Sequence, residues 1–457
     1  MSAIRERIDG RQLGSGARLP SIRAFAREQG VSKSTVVEAY ERLAAEGVIA
    51  ARRGSGFYVA GSERPPALSR SDPRIERAID PLWVMRQSLE ADPSSLRPGC
   101  GWLPESWMPL GALRRGLRSA ARSEPRALTD YGTPLGFAPL RSQLARRLSA
   151  RGVEAEPAQI LLTDSGTQAL DLVCRLLLQP GETVLVDDPC YFNFLGLARA
   201  HRASVVGVPM TPAGPDVEAF ARLAREQRPR LYFTTAALQN PTGVSNAPAT
   251  VHRLLVLAEA HGITIVEDDI FADLEPEPAS PRLAAFGGLN RVIQVGSFSK
   301  TLSAAMRCGY VAVRPDWIEP LADLKLATAF GSGDLAARLV HGILTDGSYR
   351  RHVEGLRGRL ARALTDTARR LEAAGLRVWT EPRGGLFLWA ALPEGLDAGD
   401  VARRAMAEGV VLAPGNVFSV GQTAGRFLRF NVAQCTSARV FEVLERAMDN
   451  ADRRPML

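Results

Sequence analysis

The sequence lacks long apolar runs, has few cysteines and contains almost no lysine. No apolar segment is long enough to cross a bilayer as a helix, so a helical membrane protein is not expected. The cysteines are odd in number, scattered and without metal-ligand spacing, which argues against a zinc site and a disulfide framework. They are Cys100, Cys174, Cys190, Cys308 and Cys435. We therefore expect reduced thiols, no metal and a cytoplasmic protein.

The scarcity of lysine makes Lys300 informative. The chain has three lysines, Lys33, Lys300 and Lys325, so that 54 of its 57 basic residues are arginine. Arginine holds a fixed charge, whereas a lysine amine can lose its proton and attack a carbonyl. Lys300 closes the segment Val-Gly-Ser-Phe-Ser-Lys, whose two serines together with Arg307 suit a phosphate on a bound aldehyde. The segment predicts a Schiff-base lysine, but alone it fits a solvated lysine at a strand end equally well.

Length and charge indicate a soluble globular protein with more than one domain. The chain has 457 residues, of which 46% are hydrophobic and 23% charged. Its net charge is +8, and residues 1–60 hold ten Lys or Arg against six Asp or Glu, a balance of +4. A small basic module at one end indicates a polyanionic partner.

A change in composition divides the chain. Residues 61–81 are rich in Ser, Pro, Arg and Glu, which predicts a linker between a module over 1–60 and a large domain over 82–457. In the large domain, β-branched runs alternate with helical patterns such as 168–178 and 249–261, which predicts an α/β fold with a largely parallel sheet. The runs are 160–163, 183–186, 204–208, 231–234, 263–267, 292–295 and 310–313. From about Pro320 the pattern predicts a smaller α+β subdomain.

The first sixty residues carry the pattern of a helix-turn-helix. Ser21 is placed to cap a helix, residues 30–32 form a glycine turn, and a second helix is predicted from Lys33 to about Glu46. The amino-terminal residues of a second helix enter the major groove of DNA in this motif. We therefore predict DNA contacts from three residues, namely Lys33, Ser34 and Thr35.

A two-stranded wing is predicted to follow the second helix. Residues 48–50 and 57–59 form its strands, and Arg52, Arg53 and the glycines 54 and 56 form a basic tip suited to phosphates or a minor groove. Two alternatives to DNA binding remain for this module. It could be a helical hairpin that only packs against the rest of the chain, or an interaction domain that does not bind DNA. The wing and the local positive charge favour DNA.

Several motifs of the large domain suit a pyridine cofactor. Asp268 follows a predicted strand, where a carboxylate can hold a proton on a ring nitrogen. Asn240 begins an Asn-Pro-Thr-Gly turn that places an amide near a ring oxygen. Residues 165–168 join a strand to a helix and form an anion site, and Tyr191 is placed to stack on a planar ring. Each motif alone also fits a turn or a helix cap.

Residues 11–60 resemble the GntR family of winged-helix regulators, which implies DNA binding. The resemblance rests on Leu19-Pro20-Ser21-Ile22-Arg23, Gly30-Val31-Ser32-Lys33-Ser34-Thr35-Val36, Ala39-Tyr40, Leu43, Glu46-Gly47 and Gly54-Ser55-Gly56.

Residues 82–450 resemble the fold-type I, class I aminotransferases, which use pyridoxal phosphate. The resemblance rests on the motifs above and on Gly101-Trp102-Leu103-Pro104 and Tyr131-Gly132-Thr133-Pro134-Leu135-Gly136. It implies that Lys300 forms the Schiff base, Asp268 partners the pyridine nitrogen, Asn240 faces the phenolic oxygen and Tyr191 stacks on the ring. The residues implied around the phosphate are Gly166, Thr167, Gln168, Ser297, Ser299 and Arg307.

Two further residues and one departure follow from the same resemblance. Tyr131 would reach the phosphate of the other subunit, which implies a homodimer. Arg429 matches the arginine that holds a substrate α-carboxylate in a bidentate pair. Phe271 stands where the family commonly has a tyrosine whose hydroxyl shares the phenolic oxygen with the asparagine. Its absence predicts inefficient turnover but leaves cofactor binding intact.

A GntR-type winged helix joined by a linker to an aminotransferase-like domain resembles the MocR family of bacterial regulators. The resemblance implies a DNA-binding transcriptional regulator that senses pyridoxal phosphate or its adduct with an amino compound. The effector would be a small amino compound or a B6 vitamer. The alternative is an active aminotransferase with a vestigial DNA-binding module.

Overall fold

The computed structural model describes residues 4, 13, 17–52, 55–59, 81–331 and 333–452. The chain divides into two compact units, Met1–Arg77 and Ala78–Leu457. The predicted wing-tip Arg53 and residues 61–80 of the predicted linker lie outside the described residues. Within these ranges, the structure contains no helix long and apolar enough to span a bilayer.

The first unit contains the predicted pair of helices, α1 (Ile22–Gln29) and α2 (Lys33–Ala45). Ser21 caps α1 by accepting a hydrogen bond from the Ala24 N–H over 3.2 Å. Gly30 ends α1 with a φ of 66°, a left-handed conformation that glycine adopts without steric cost. The predicted helix-turn-helix is confirmed, and its second helix ends at Ala45 with Glu46 as its C-cap.

The wing of this unit consists of β1 (Ile49–Arg52) and β2 (Gly56–Val59), which pair antiparallel. It has one more extended segment than the sequence predicts. The Leu19 N–H donates to the Phe57 carbonyl and the Val59 N–H donates to the Ala17 carbonyl, each over 2.8 Å. Residues 17–19 therefore extend the wing on the other side of β2.

Tyr40 lies at the centre of the first unit's core. Its ring is completely buried and packs against Phe25 and Phe57, at centroid distances of 6.0 and 5.0 Å. The Tyr40 hydroxyl donates to the Pro20 carbonyl over 2.9 Å, so the side chain ties α2 to the start of α1. This packing holds α2 by one face and leaves its first turn at the surface.

The second unit alternates helices and strands. Its helices are α3 (Pro81–Glu90), α4 (Leu110–Ala120), α5 (Pro125–Thr129), α6 (Ala138–Ser149), α7 (Gly166–Leu177), α8 (Phe192–Ala200), α9 (Val217–Gln227), α10 (Pro248–Ala260), α11 (Leu283–Gly287), α12 (Ile318–Ala329), α13 (Asp334–Thr345), α14 (Ser348–Ala373), α15 (Ala398–Ala407) and α16 (Ala438–Asp452). Its strands are β3 (Ile160–Thr163), β4 (Thr183–Asp188), β5 (Ser204–Thr211), β6 (Gly214–Pro215), β7 (Leu231–Thr234), β8 (Thr264–Asp268), β9 (Val292–Ser297), β10 (Gly309–Ala312), β11 (Arg377–Val378), β12 (Phe387–Ala391), β13 (Ala413–Pro414) and β14 (Phe427–Asn431). Single 3₁₀ turns lie at Glu105–Trp107, Pro157–Gln159, Ala272–Leu274, Ala304–Met306, Pro315–Trp317, Gly415–Phe418 and Val432–Gln434.

The large sheet has the order β3-β10-β9-β8-β7-β4-β5-β6. Strands β5, β4, β7, β8 and β9 pair in parallel, which confirms the predicted largely parallel sheet. Strand β10 runs antiparallel to β9 and β3. The connection between β9 and β10, residues 298–308, contains only a 3₁₀ turn. Because a parallel pair of strands requires a longer crossover connection, β10 returns antiparallel to β9.

Helices cover both faces of this sheet, because its strands are apolar on both sides. Leu161 of β3 belongs to one buried cluster, whereas its neighbours Ile160 and Leu162 belong to another. Such continuous apolar strands are typical of a parallel sheet in an α/β fold.

The last third of the chain is mainly helical and contains a second sheet, as predicted from about Pro320. This antiparallel sheet has the order β11-β12-β14-β13. Together with α14, α15 and α16 it encloses a separate buried cluster of leucine and valine side chains.

Candidate functional site

A cavity of about 270 Å³ lies in the second unit at the carboxyl ends of the strands of the large sheet. Asp268 ends β8, Lys300 follows β9 by three residues, and Ser165 and Tyr191 follow β3 and β4. All four residues line the cavity, as does Asn240. Open α/β sheets bind ligands at this edge, so the predicted motifs meet where a ligand is expected.

Lys300 and Asp268 have opposite shifts of pKa, and burial is the main cause of both. Burial disfavours the charged form of each group. It lowers the pKa of the Lys300 amine to about 8, against the opposing effect of Cys100 and together with the positive charge of Arg429. It raises the pKa of the Asp268 carboxyl to about 7, against the effect of a hydrogen bond from the Ile270 N–H. The cavity thus holds an amine that loses its proton near neutral pH and a carboxylate suited to retaining one.

Arg429 lies on β14 and is 1% exposed. Its guanidinium lies between the rings of Phe387 and Phe418, at 4.5 and 4.7 Å from their centroids. Nη1 donates to Asn240 Oδ1 over 2.8 Å, and Nη2 donates to the Gly99 carbonyl over 2.5 Å. Burial lowers the pKa of this arginine to about 10. Burial and these two hydrogen bonds therefore hold the planar cation in place at the cavity wall.

The same contact orients Asn240. Because its Oδ1 accepts from Arg429, its NH₂ group is the part left to donate to a ligand. The predicted role of this amide, as a donor beside a ring oxygen, requires this orientation.

The amino terminus of α7 lies at the cavity, where the sequence predicts an anion site. Gly166 and Thr167 supply its first two N–H groups, which have no acceptor within the helix. Both residues line the cavity together with Arg307, so backbone N–H groups, the helix dipole and a cation converge. A Cβ atom at Gly309 would lie 2.6 Å from the Ser165 carbonyl carbon. Glycine at this position therefore allows β10 to approach the loop.

Three of the residues predicted around the phosphate form hydrogen bonds within the protein. Ser297 and Ser299 line the cavity, with their hydroxyl oxygens 2.9 Å apart, and the Ser297 hydroxyl also donates to the Cys308 carbonyl. Gln168 differs from the prediction and does not line the cavity. Its N–H donates to Ser165 Oγ, and its Oε1 accepts from the Asp164 N–H, so it closes its own helix cap.

The two predicted tyrosines have different positions. Tyr191 lines the cavity and packs against Phe192 and Phe194 at 5.0 and 5.6 Å between centroids. Tyr131 lies outside this cavity, is 78% exposed, and has its ring 4.7 Å from that of Phe330. Its predicted contact with the phosphate of a second subunit requires such a surface position.

Phe271 takes the place of the expected tyrosine at the cavity wall. It is buried and its ring meets that of Phe387 edge-on at 5.6 Å. The side chain at position 271 therefore packs as an aromatic ring but lacks the hydroxyl of the expected tyrosine.

Helix α3 contributes to the cavity without any motif in its sequence. Met85, Ser88 and Leu89 of this helix line the cavity. No role is predicted for this segment from the sequence, because it carries no recognisable binding motif. Cys100 also lines the cavity, and burial raises the pKa of its thiol.

The residues that line the cavity fit pyridoxal phosphate. The anion site and Arg307 suit its phosphate, the Lys300 amine suits its aldehyde, and the Asp268 carboxyl suits its ring nitrogen. Each of these three groups of the cofactor therefore has a complementary polar group in the cavity lining.

In the first unit, the predicted groove-reading residues lie at the surface. Lys33, Ser34 and Thr35 form the exposed first turn of α2. The Thr35 N–H donates to Ser32 Oγ, which fixes the backbone of this turn. Arg52 is the last residue of β1, and the predicted Arg53 lies outside the described residues.

Comparisons with known families agree with both units. Residues 1–59 match the gntR family of bacterial regulatory proteins, and residues 106–446 match the class I and II aminotransferases. The chain belongs to the MocR family. This MocR-family chain is 30% identical over 449 residues to the HTH-type transcriptional regulator YdcR of Escherichia coli (strain K12), covering 94% of this chain and 93% of that protein. It is 28% identical over 442 residues to the regulator YdfD of Bacillus subtilis (strain 168), covering 94% and 91%.

Aminotransferases are also among the proteins that the MocR-family chain resembles. It is 30% identical over 331 residues to the 2-aminoadipate transaminase of Thermus thermophilus, covering 71% of this chain and 82% of the enzyme. Its structure is similar to that of LysN, the α-aminoadipate aminotransferase of the same organism in complex with N-(5'-phosphopyridoxyl)-L-leucine. The TM-score is 0.74 at 29% identity, covering 80% of this chain and 95% of LysN.

Proposed function

We propose that this MocR-family chain is a transcriptional regulator that binds promoter DNA as a homodimer and senses pyridoxal phosphate or its adduct with an amino compound. The observation that carries the proposal is a single cavity that brings together Lys300, Asp268 and Arg429. The exposed first turn of α2 supports DNA binding by the same chain. The proposed boundaries are 1–60 for the DNA-binding domain, 61–81 for the linker and 82–457 for the sensor.

Each cavity residue has a proposed role toward the cofactor. Pyridoxal phosphate supplies an aldehyde that reacts with amines and a ring that withdraws electrons. Lys300 attaches to the aldehyde, and Asp268 holds the proton of the ring nitrogen. Asn240 donates to the ring oxygen, and Tyr191 stacks on the ring. The proposed phosphate contacts are Gly166, Thr167, Ser297, Ser299 and Arg307, with Tyr131 from a second subunit.

Arg429 is the proposed site for the effector. A buried guanidinium pairs with a carboxylate in a bidentate manner, so an effector that reaches Lys300 with its amine would place its α-carboxylate at Arg429. Nη2 of Arg429 donates to the Gly99 carbonyl. A carboxylate would replace this carbonyl as the partner, because a charged acceptor forms a stronger hydrogen bond than a neutral one.

The position of α3 in the chain links ligand binding at this cavity to DNA binding. Helix α3 is the first described helix after residues 60–80, and it forms part of the cavity wall. A ligand that contacts α3 differently in two arrangements of the dimer shifts the balance between them. The regulatory effect then requires binding but no turnover.

Measurements on one preparation test this proposal. A DNA duplex would be selected from a random pool by the holoprotein, and its affinity measured beside steady-state transamination with amino and keto acids. A regulator binds the selected duplex far more tightly than a scrambled one and gives negligible turnover. Equal affinity for selected and scrambled duplexes would contradict the proposal.

An active aminotransferase with a vestigial DNA-binding module is the second candidate. The chain retains Lys300, Asp268 and Arg429 in one cavity, and it resembles a 2-aminoadipate transaminase. Sustained turnover without selective DNA binding would favour this candidate.

A further inference from the structure

Helix α3 contributes apolar side chains to the cavity. Met85 and Leu89 line it, as do Leu170 of α7 and Phe192 of α8. The proposed function assigns none of these four residues to a polar group of the cofactor. Such an apolar lining suits the side chain of a bound amino compound.

Ser88 is the polar exception on α3. It is 1% exposed, and its Oγ is buried without a hydrogen-bond partner in the described part of the chain. Serine hydroxyls in helices usually bond to a carbonyl of the preceding turn, and Ser88 does not. A buried hydroxyl without a partner is unfavourable, so its presence at a cavity wall indicates a ligand that supplies the missing hydrogen bond.

The cations of the cavity limit the charge of that ligand. Among the described residues, the lysine and arginine side chains that line the cavity are Lys300, Arg307 and Arg429. The proposed function assigns them to the aldehyde, the phosphate and the α-carboxylate. This protomer therefore has no further cation, among its described residues, for a second carboxylate, and a buried unpaired carboxylate is strongly disfavoured.

We propose that Ser88 recognises the side chain of the effector, an α-amino acid whose side chain is uncharged and ends in a hydrogen-bonding group. The inference rests on the proposed function and specifies the effector class of the same site. The apolar residues that line the cavity with Ser88 accept the aliphatic part of such a side chain, and the hydroxyl accepts from or donates to its end.

Effector titrations of matched variants test this role. The wild type, Ser88→Ala and Glu90→Ala would be compared, because Glu90 is an exposed residue of the same helix that does not line the cavity. The probes are L-threonine, L-asparagine and L-glutamine, with L-aspartate and L-glutamate as acids of matched shape and L-norvaline as an apolar control. The readout is the change in the visible spectrum of the protein-bound cofactor.

The wild type is expected to respond to one or more of the three uncharged polar amino acids at lower concentration than to either acid. For the tightest of these, Ser88→Ala should raise the half-saturating concentration about three- to tenfold, the effect of one hydrogen bond. The response to L-norvaline should change less than about twofold, since it makes no such bond. Glu90→Ala should behave as the wild type with every probe.

Three results would overturn the inference: preference of the wild type for an acid, equal loss of all probes in Ser88→Ala, or no difference between the two variants. Each preparation is first checked for the visible cofactor band and for affinity to the selected duplex without amino acid. Loss of the band in Ser88→Ala would assign Ser88 to the cofactor instead. If the wild type lacks the band or selective DNA binding, the proposed function itself fails. If both are present and no amino acid changes the spectrum, only the effector assignment fails.

Discussion

Arg429 donates a hydrogen bond to Asn240 over 2.8 Å, which joins the proposed carboxylate site directly to the proposed ring-oxygen site. The two residues are 189 positions apart in the sequence. A ligand that binds the arginine would therefore act on the asparagine that is proposed to contact the cofactor. This contact would give the cavity a physical means to distinguish the cofactor alone from the cofactor with an amino acid.

Replacing Arg429 by methionine should abolish the response to amino acids. The change removes a buried bidentate cation but keeps much of the volume, so the half-saturating concentration should rise by roughly a hundredfold, given about 3 kcal/mol for such a pair. Spectral titration with an amino acid that acts on the wild type measures this. Arg426→Met is the control, since Arg426 bonds to the Leu392 carbonyl at the subdomain surface. A wild-type response in Arg429→Met would remove the arginine from the effector site.

Replacing Lys300 by alanine should eliminate the visible absorption of the attached cofactor. The prediction follows from the amine at the cavity wall, whose pKa is lowered to about 8. Lys325→Met provides the matched control, because Lys325 is the other lysine of the large unit and its Nζ donates to the Pro134 carbonyl. Persistence of the band in Lys300→Ala, or its loss in Lys325→Met alone, would refute the assignment.

The rate of cofactor attachment should rise with pH. Only the neutral amine attacks a carbonyl, and burial lowers the pKa of Lys300 from its ordinary value to about 8. The group is mostly protonated at pH 7 and mostly neutral at pH 9, so the rate should increase about tenfold per pH unit below 8 and level off above it. Stopped-flow mixing of apoprotein with pyridoxal phosphate measures this. A rate that still rises tenfold between pH 9 and 10 would indicate an unshifted lysine.

Restoring a tyrosine at position 271 should raise transamination. Phe271 lines the cavity beside Phe387, so Phe271→Tyr adds a hydroxyl without altering the aromatic packing. One hydrogen bond to a charged oxygen contributes about 1.5 kcal/mol, which corresponds to roughly a tenfold increase in turnover. Single-turnover kinetics with an amino acid detect the change. Phe387→Tyr is the control for an added hydroxyl near the cavity, and equal effects of both substitutions would argue against a specific role.

Replacing Lys33 by glutamine should weaken DNA binding and its dependence on salt. Lys33 opens α2 and is exposed, where a cation suits a phosphate or a base edge. The slope of log affinity against log salt should fall by about 1, as for the loss of one phosphate contact. Arg42→Gln is the control on the same helix, because Arg42 pairs with Glu38 over 3.0 Å. If Lys33→Gln changes neither affinity nor slope, α2 does not bind DNA by this turn.

The sequence was sufficient to predict the parts of the site that local motifs encode. Lys300 and Asp268 follow β-branched runs, and both lie at strand ends in one cavity. The reversed direction of β10 could not be predicted, because it depends on the short return from β9 rather than on the residues of the strand. Gln168 differs from its prediction since its amide satisfies the backbone of its own loop, a competition that sequence spacing does not reveal.

Ser88 shows the other limit of the sequence analysis. Its position in the cavity arises from packing of α3 against α8, a long-range contact between segments that carry no shared motif. No local signal distinguishes this serine from one on a solvated helix. Only the structure places this residue at the cavity wall.

The measurement that tests the central claim most directly is the affinity of the full chain for its selected DNA duplex in three states. These are the apoprotein, the protein with pyridoxal phosphate, and the protein with the cofactor and an effective amino acid, each measured by fluorescence anisotropy. A sensor predicts that the affinity differs between states by about fivefold or more, and that Lys300→Ala removes the difference. Identical affinities in all three states of a wild type that carries the cofactor band would contradict the account.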